Sequence, residues 1–136
     1  MKRREFIVMA SAAAALPSLV QAGGAVYTPG LAKAELDAGK IVFLDFTATW
    51  CGTCQRQGRI IAELQASNPD YEANISFIDV DWDDYGNGDL SNELKIPRRS
   101  TLVVLQGKKE LGRIVAGTSK KAIQQLMDIA LNAAVA

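Results

Sequence analysis

The sequence predicts an α/β domain, and three stretches carry that prediction. Ile41-Val42-Phe43-Leu44-Asp45-Phe46 is an apolar run rich in β-branched and aromatic residues, the pattern of a buried strand. Helical spacing follows from Cys51 to about Ser67, with Ile60, Ile61 and Leu64 on one face. A second buried strand is expected over Ile75–Asp81. The chain then closes with a hairpin turning at Gly107-Lys108-Lys109. A last amphipathic helix has its cap at Thr118 or Ser119 and an apolar stripe of Ile123, Leu126, Met127 and Ala130.

The remaining elements are shorter. Gly23 to Tyr27 reads as a loose lead or a short first strand. Thr28-Pro29 offers a threonine cap and a proline at the first helical position, so a short helix is expected to run to about Ala38 and end at Gly39. Gly58 interrupts the long helix; it serves either a kink or close packing against a neighbour. Asn68-Pro69-Asp70 reads as a loop, Gly86-Asn87-Gly88 as a turn, and Leu90–Lys95 as a short helix.

The chain of 136 residues allows one domain with a sizeable core, since 49% of it is apolar. Residues 1–22 stand apart. Lys2-Arg3-Arg4 precedes an alanine-rich apolar stretch from about Phe6 to Val20, and Val20-Gln21-Ala22 has the form of a signal-peptidase site. This predicts a cleavable export signal cut after Ala22. Arg3-Arg4 followed by Glu5-Phe6-Ile7 favours the twin-arginine type over an ordinary secretory signal. A single domain, residues 23–136, would then function in the periplasm. Without Lys2, Arg3, Arg4 and Glu5 the chain keeps 12 basic and 14 acidic side chains, a net of −2. With no basic stripe, nucleic acid is not an expected partner.

The chemistry concentrates in Thr49-Trp50-Cys51-Gly52-Thr53-Cys54, which holds both cysteines of the chain. Cys51 falls at the strand-to-helix junction and Cys54 one turn inside the helix. Unpaired N–H groups and the positive end of the helix dipole favour a thiolate at Cys51. A one-chain Cys/His zinc site is excluded, because the chain has no histidine and no third cysteine. A purely structural bridge over so short a loop would constrain the unfolded chain little. A redox dithiol remains. Asp79, Asp81, Asp83, Asp84 and Asp89 suggest a calcium loop. Counted from Asp79, however, the sixth position is Asp84 rather than glycine and the twelfth is Leu90 rather than glutamate. A solvated acidic loop is the better reading.

Trp50-Cys51-Gly52-Thr53-Cys54, with Phe46 and Ala48 before it, resembles the active site of the thioredoxin family. The resemblance runs from about Leu31 to the C-terminus. It implies a thioredoxin fold, with a central mixed sheet of about four strands flanked by helices. The implied activity is thiol–disulfide exchange with protein disulfide substrates, with no cofactor beyond the Cys51–Cys54 pair. Cys51 would be the nucleophile and Cys54 the resolving thiol. Asp45, six residues before Cys51, matches the family's buried acid, and burial would raise its pKa enough to take the Cys54 proton.

Several residues depart from the family. Thr53 stands for a proline, Thr47 for a tryptophan, and Phe77 is read at the position of a lysine that often pairs with the buried acid. The family's cis-proline beside the cysteines has two candidates. Pro97 looks right locally, but reading back without gaps from Thr101–Leu105 puts Ser100 there and Arg99 before it, at the position that pairs with substrate. Ser100 is the preferred register, with a trans bond before it. A proline at 100 is expected to restore the ordinary pattern. Trp50, Arg99 and Ser100 are therefore the substrate-binding candidates. With no histidine beside Cys51, a reductase is favoured over an oxidase. A monomer served by a membrane electron carrier is expected. The alternative is a metal-binding module, in which space left by the lost proline lets two chains share copper or an iron–sulfur cluster through these cysteines.

Overall fold

The computed structural model describes residues 24–136. The export signal expected over residues 1–22 lies outside the described residues. In chain order the elements are β1 (Ala25–Val26), α1 (Leu31–Asp37), β2 (Ile41–Thr47), α2 (Gly52–Ser67), α3 (Asp70–Asn74), β3 (Ile75–Asp81), α4 (Trp82–Tyr85), α5 (Asp89–Glu93), β4 (Thr101–Gln106), β5 (Lys109–Val115) and α6 (Lys120–Val135).

The strands form one five-stranded sheet in the order β1-β3-β2-β4-β5. β2 is parallel to β3 and antiparallel to β4, so the sheet is mixed as expected. The count differs from about four because the lead of the chain does become a strand. Ala25 and Val26 pair with Ile78 and Asp79, and two residues are too few to announce themselves by periodicity.

β2 sits at the centre, and every residue from Ile41 to Phe46 is buried. A strand covered on both faces must be apolar on both, which is why this run does not alternate. Ile41 and Phe43 join Ile75, Phe77, Leu102 and Val104 under α2, α3 and α6. On the other face Val42, Leu44 and Phe46 pack with Ile78, Val80 and Val103, covered by side chains of α1, α4 and α5. Met127 belongs to the first of these cores.

Helix ends correct several expectations. α1 begins at Leu31, capped by Gly30 at φ 92°, because Thr28 uses its carbonyl in a turn to the Leu31 N–H at 3.0 Å. Ser119, not Thr118, caps α6 by accepting from the Ala122 N–H at 3.2 Å. α3 and α4 occupy stretches read as loop. In the acidic stretch Asp81 caps α4 by accepting from the Asp83 N–H at 2.9 Å. α2 runs unbroken through Gly58, where an added Cβ would meet nothing within 4 Å. Close packing is therefore not the reason for that glycine.

Candidate active site

β2 delivers the chain through Thr47–Trp50 to the start of α2, where Cys51 is the helix cap. Its backbone is extended and its Sγ accepts the Cys54 N–H at 3.2 Å. A sulfur thus fills the role that a serine or aspartate oxygen fills at other helix starts, meeting an N–H that no helical carbonyl can reach. Both cysteines carry free thiols, and both are buried.

The two thiols titrate in opposite directions. Burial works against the Cys51 thiolate, but hydrogen bonds from Cys54, Ser100, the Cys54 backbone and Arg99 outweigh it and bring its pKa down to about 7. That lies in the roughly 3.5–7.5 range of Cys-x-x-Cys thiols at helix starts, for which thioredoxins are themselves among the reference cases. Cys54 is pushed up by burial and by its bond to Cys51. One turn of helix separates a thiolate from a thiol.

Ser100 completes the pair. Its Oγ lies 3.2 Å from Cys51 Sγ and 3.0 Å from Cys54 Sγ, and the residue is fully buried. All peptide bonds among the described residues are trans, and Pro97 is exposed in the loop before. The gapless register is the one adopted. The backbone explains why a proline does not fit there. Ser100 has φ 64°, and its N–H donates to the Phe46 carbonyl at 2.7 Å. Proline fixes φ near −65° and has no N–H. The expectation that Ser100→Pro would restore the family pattern is therefore corrected: it would rebuild this loop.

Gln57 is the residue sequence reasoning missed. It is fully buried, and its Nε2 donates to the carbonyls of Ser100 at 3.0 Å and Gly117 at 2.9 Å. The Ser100 carbonyl also accepts the Ala116 N–H at 2.8 Å. A signal was present: Gln57 follows Cys54 by three residues and precedes Ile61 by four, so a polar amide sits on the buried face of α2.

At the mouth, Trp50 is 59% exposed. Its Nε1 donates to both carboxylate oxygens of Asp83 at 3.0 Å, and the Arg99 guanidinium stands 4.6 Å from its ring centroid. Arg98 is half-buried and donates from Nε to the Arg99 carbonyl at 2.9 Å.

Behind the dithiol, Asp45 is buried as expected. Burial, then the neighbouring charges of Asp79 and Cys51, raise its pKa well above the usual carboxyl range. The residue facing it is not Phe77. The β2–β3 register pairs Asp45 with Asp79 and Phe43 with Phe77. Phe77 is a core residue in contact with Phe43, their ring centroids 5.0 Å apart. The usual lysine partner is thus replaced by a second carboxyl.

A sulfur at a helix cap, a second thiol one turn in and a buried acid behind them define a dithiol oxidoreductase on an α/β scaffold. The sequence matches the family model described as Thioredoxin over residues 28–129, and the chain belongs to that family. It is 31% identical over 90 residues to a thioredoxin H-type of Fagopyrum esculentum, spanning 66% of this chain and 72% of that one. With thioredoxin H-type 1 of Nicotiana tabacum it shares 32% over 93 residues, 68% of each. Among solved structures, Trxlp from Edwardsiella tarda superposes with a TM-score of 0.64 at 25% identity, covering 75% of this chain and 98% of that chain. Thioredoxins are thiol–disulfide oxidoreductases that act on protein disulfides and use no cofactor, and this chain is an enzyme of that class.

The metal-binding alternative finds no support. Ser100 itself fills the space beside the sulfurs that the lost proline was expected to open. Among the described residues no group of three or more His, Cys, Asp or Glu could hold a metal ion.

Proposed function

We propose that this protein is an exported thioredoxin-like reductase of protein disulfides. The observation that carries the reading is the asymmetry of the dithiol, with Cys51 held near 7 and Cys54 kept protonated. Cys51 attacks a substrate disulfide. Cys54 then attacks Cys51 in the mixed disulfide, and Asp45 accepts the proton that Cys54 loses. Substrate docks across Trp50, Arg99 and Ser100, where an exposed indole and a guanidinium flank the reactive sulfur. Reduction rather than oxidation is favoured because the chain contains no histidine to stabilise the thiolate further. Lowering the thiolate's energy is what makes a disulfide a strong oxidant.

The basic and apolar leader supports export to the periplasm by the twin-arginine route. The family match, beginning at residue 28, leaves that leader free for targeting. In that compartment a membrane electron carrier re-reduces the pair of a monomeric enzyme. Equilibration in dithiol buffers tests the direction of electron flow. A potential near about −270 mV, where thioredoxins lie, supports the reductase; one near −120 mV, the range of strong periplasmic oxidants, overturns it. Export is tested by exchanging Arg3 and Arg4 for lysine, which should leave the uncut precursor in the cytoplasm.

A further inference from the structure

The carboxyl of Asp79 has no place in the scheme above, yet the fold brings it to the same chemistry. β2 and β3 run parallel, and their register sets Asp45 and Asp79 directly side by side. Neighbouring strands lie about 4.8 Å apart, and directly paired residues of parallel strands point to the same face. That face is the one covered by α2. A cleft of about 470 Å³ there is lined by Asp45, Asp79 and Cys54, with Gly58 and Arg59 at its side. Asp45 is buried, and its Oδ1 has no hydrogen-bond partner among the described residues; Asp79 is only half-buried. The absent side chain of Gly58 helps keep this cleft open, which gives that glycine a reason that helix packing does not.

We propose that Asp79 is the outer half of a proton-handling carboxyl pair with Asp45, receiving the Cys54 proton from Asp45 and passing it to water through the cleft. The inference rests on the dithiol exchange proposed above. In the resolving step the Cys54 S–H bond breaks and its proton goes to the Asp45 carboxylate. The Cys54 sulfur forms the bond to Cys51, the bond between Cys51 and the substrate sulfur breaks, and the substrate thiolate leaves with the electron pair. The pair then loses one proton to solvent. Two carboxyls this close do not both ionise readily, so the pair retains a proton more firmly than either alone. Burial raises Asp79 to about 6.

The titratable or charged groups facing the pair are Cys51, Cys54 and Arg59. β1 places Val26 beside Asp79, and β4 places Leu102 beside Asp45; neither ionises. Asp79 acts through Asp45 and is a positioning residue, so its signature is a pH profile rather than a loss of rate.

The test uses the full chain and oxidised glutathione carrying a fluorophore on each half. Separation of the halves, seen as dequenching, reports attack by Cys51. The later fall in anisotropy reports displacement of the second half by Cys54. Asp79→Asn removes the like charge, so Asp45 stays ionised to lower pH and the acid limb of the second phase moves down. At pH 5 that phase should be about tenfold faster than in the parent, the equivalent of one pH unit. The first phase should change less than twofold. Carboxyl ¹³C NMR of the oxidised protein, in which Cys51 carries no charge, supplies the second measurement: Asp45 should titrate in two steps in the parent and in Asp79→Glu, but in one step in Asp79→Asn. An unmoved acid limb, or a single-step Asp45 in the parent, overturns the pair and leaves dithiol exchange intact. Absence of both kinetic phases in the parent would instead sink the exchange reading itself.

Discussion

The mouth and the back of this active site treat the same chemical group in opposite ways. Cys51 and Cys54 are both buried, yet one thiol is brought down and the other pushed up. Burial disfavours both thiolates. What separates them is how far burial is answered: burial is the first cause that holds Cys54 up, while Cys51 caps a helix and gains bonds from Cys54, Ser100, the Cys54 backbone and Arg99. The balance between burial and hydrogen-bond supply decides which sulfur is the nucleophile.

The comparison breaks most severely if either thiol is removed. Cys54→Ser should stop the cycle at the mixed disulfide, visible by mass spectrometry as a stable adduct on Cys51. Cys51→Ser should form none. An adduct on Cys54 in that variant would reverse the roles.

Next in size is the effect of the back of the site on stability. Asp79 is raised to about 6 and Asp45 is raised well above its usual range, so the folded state binds protons that the unfolded chain releases near about 4. Their contribution is therefore fully present below that value and is lost as pH rises through 6 and beyond. Asp79→Asn should make urea stability less pH-dependent, gaining on the order of 2 kcal/mol at pH 8 and little at pH 4. A parallel shift at both pH values would mean that charge is not the cause.

A smaller change sharpens the comparison at the shared hydroxyl. Ser100→Ala keeps the backbone but removes the bonds to both sulfurs. A hydrogen bond to a charged group contributes about 1.5 kcal/mol at the low end, so the Cys51 pKa should rise by about one unit and its thiolate fraction near neutral pH should fall roughly fivefold. The pH dependence of iodoacetamide labelling measures this, and an unchanged profile would remove Ser100 from the account. The least effect belongs to the mouth. Arg99→Gln should slow encounter with acidic peptide disulfides about twofold, less at high salt, with stability nearly unchanged. Equal slowing with basic peptides would argue against steering by charge.

Much of this site was legible because its signals are local. The Cys-x-x-Cys spacing, the apolar run leading to it and the acid six residues before it need no knowledge of the fold. Ser100 was reachable because strand length to the Gly107 turn fixes a count. Asp79 was not. Phe77 and Asp79 share a face of β3, and a slip of two residues preserves the alternation, so only the register with β2 distinguishes them. Gln57 was passed over as one more polar helix residue, since its partners lie in a loop far along the chain. α3 and α4 have five and four residues, too short for a 3.6-residue period to appear.

The central position of β2 sets the order in which this enzyme can come into being. Its two neighbours are β3 and β4, from residues 75–81 and 101–106, so neither flank of the strand is covered while the early part of the chain is being made. Pairings between such distant segments form slowly, because long loops must close before any contact rewards them. The Ser100 hydroxyl and the Gln57 tie to its loop arrive with the β4 end of the chain. A nascent chain ending before Ser100 already holds both cysteines, but not the group that bridges them. Chemical reactivity in this protein is therefore a late product of folding, conferred on two cysteines long after they have been synthesised.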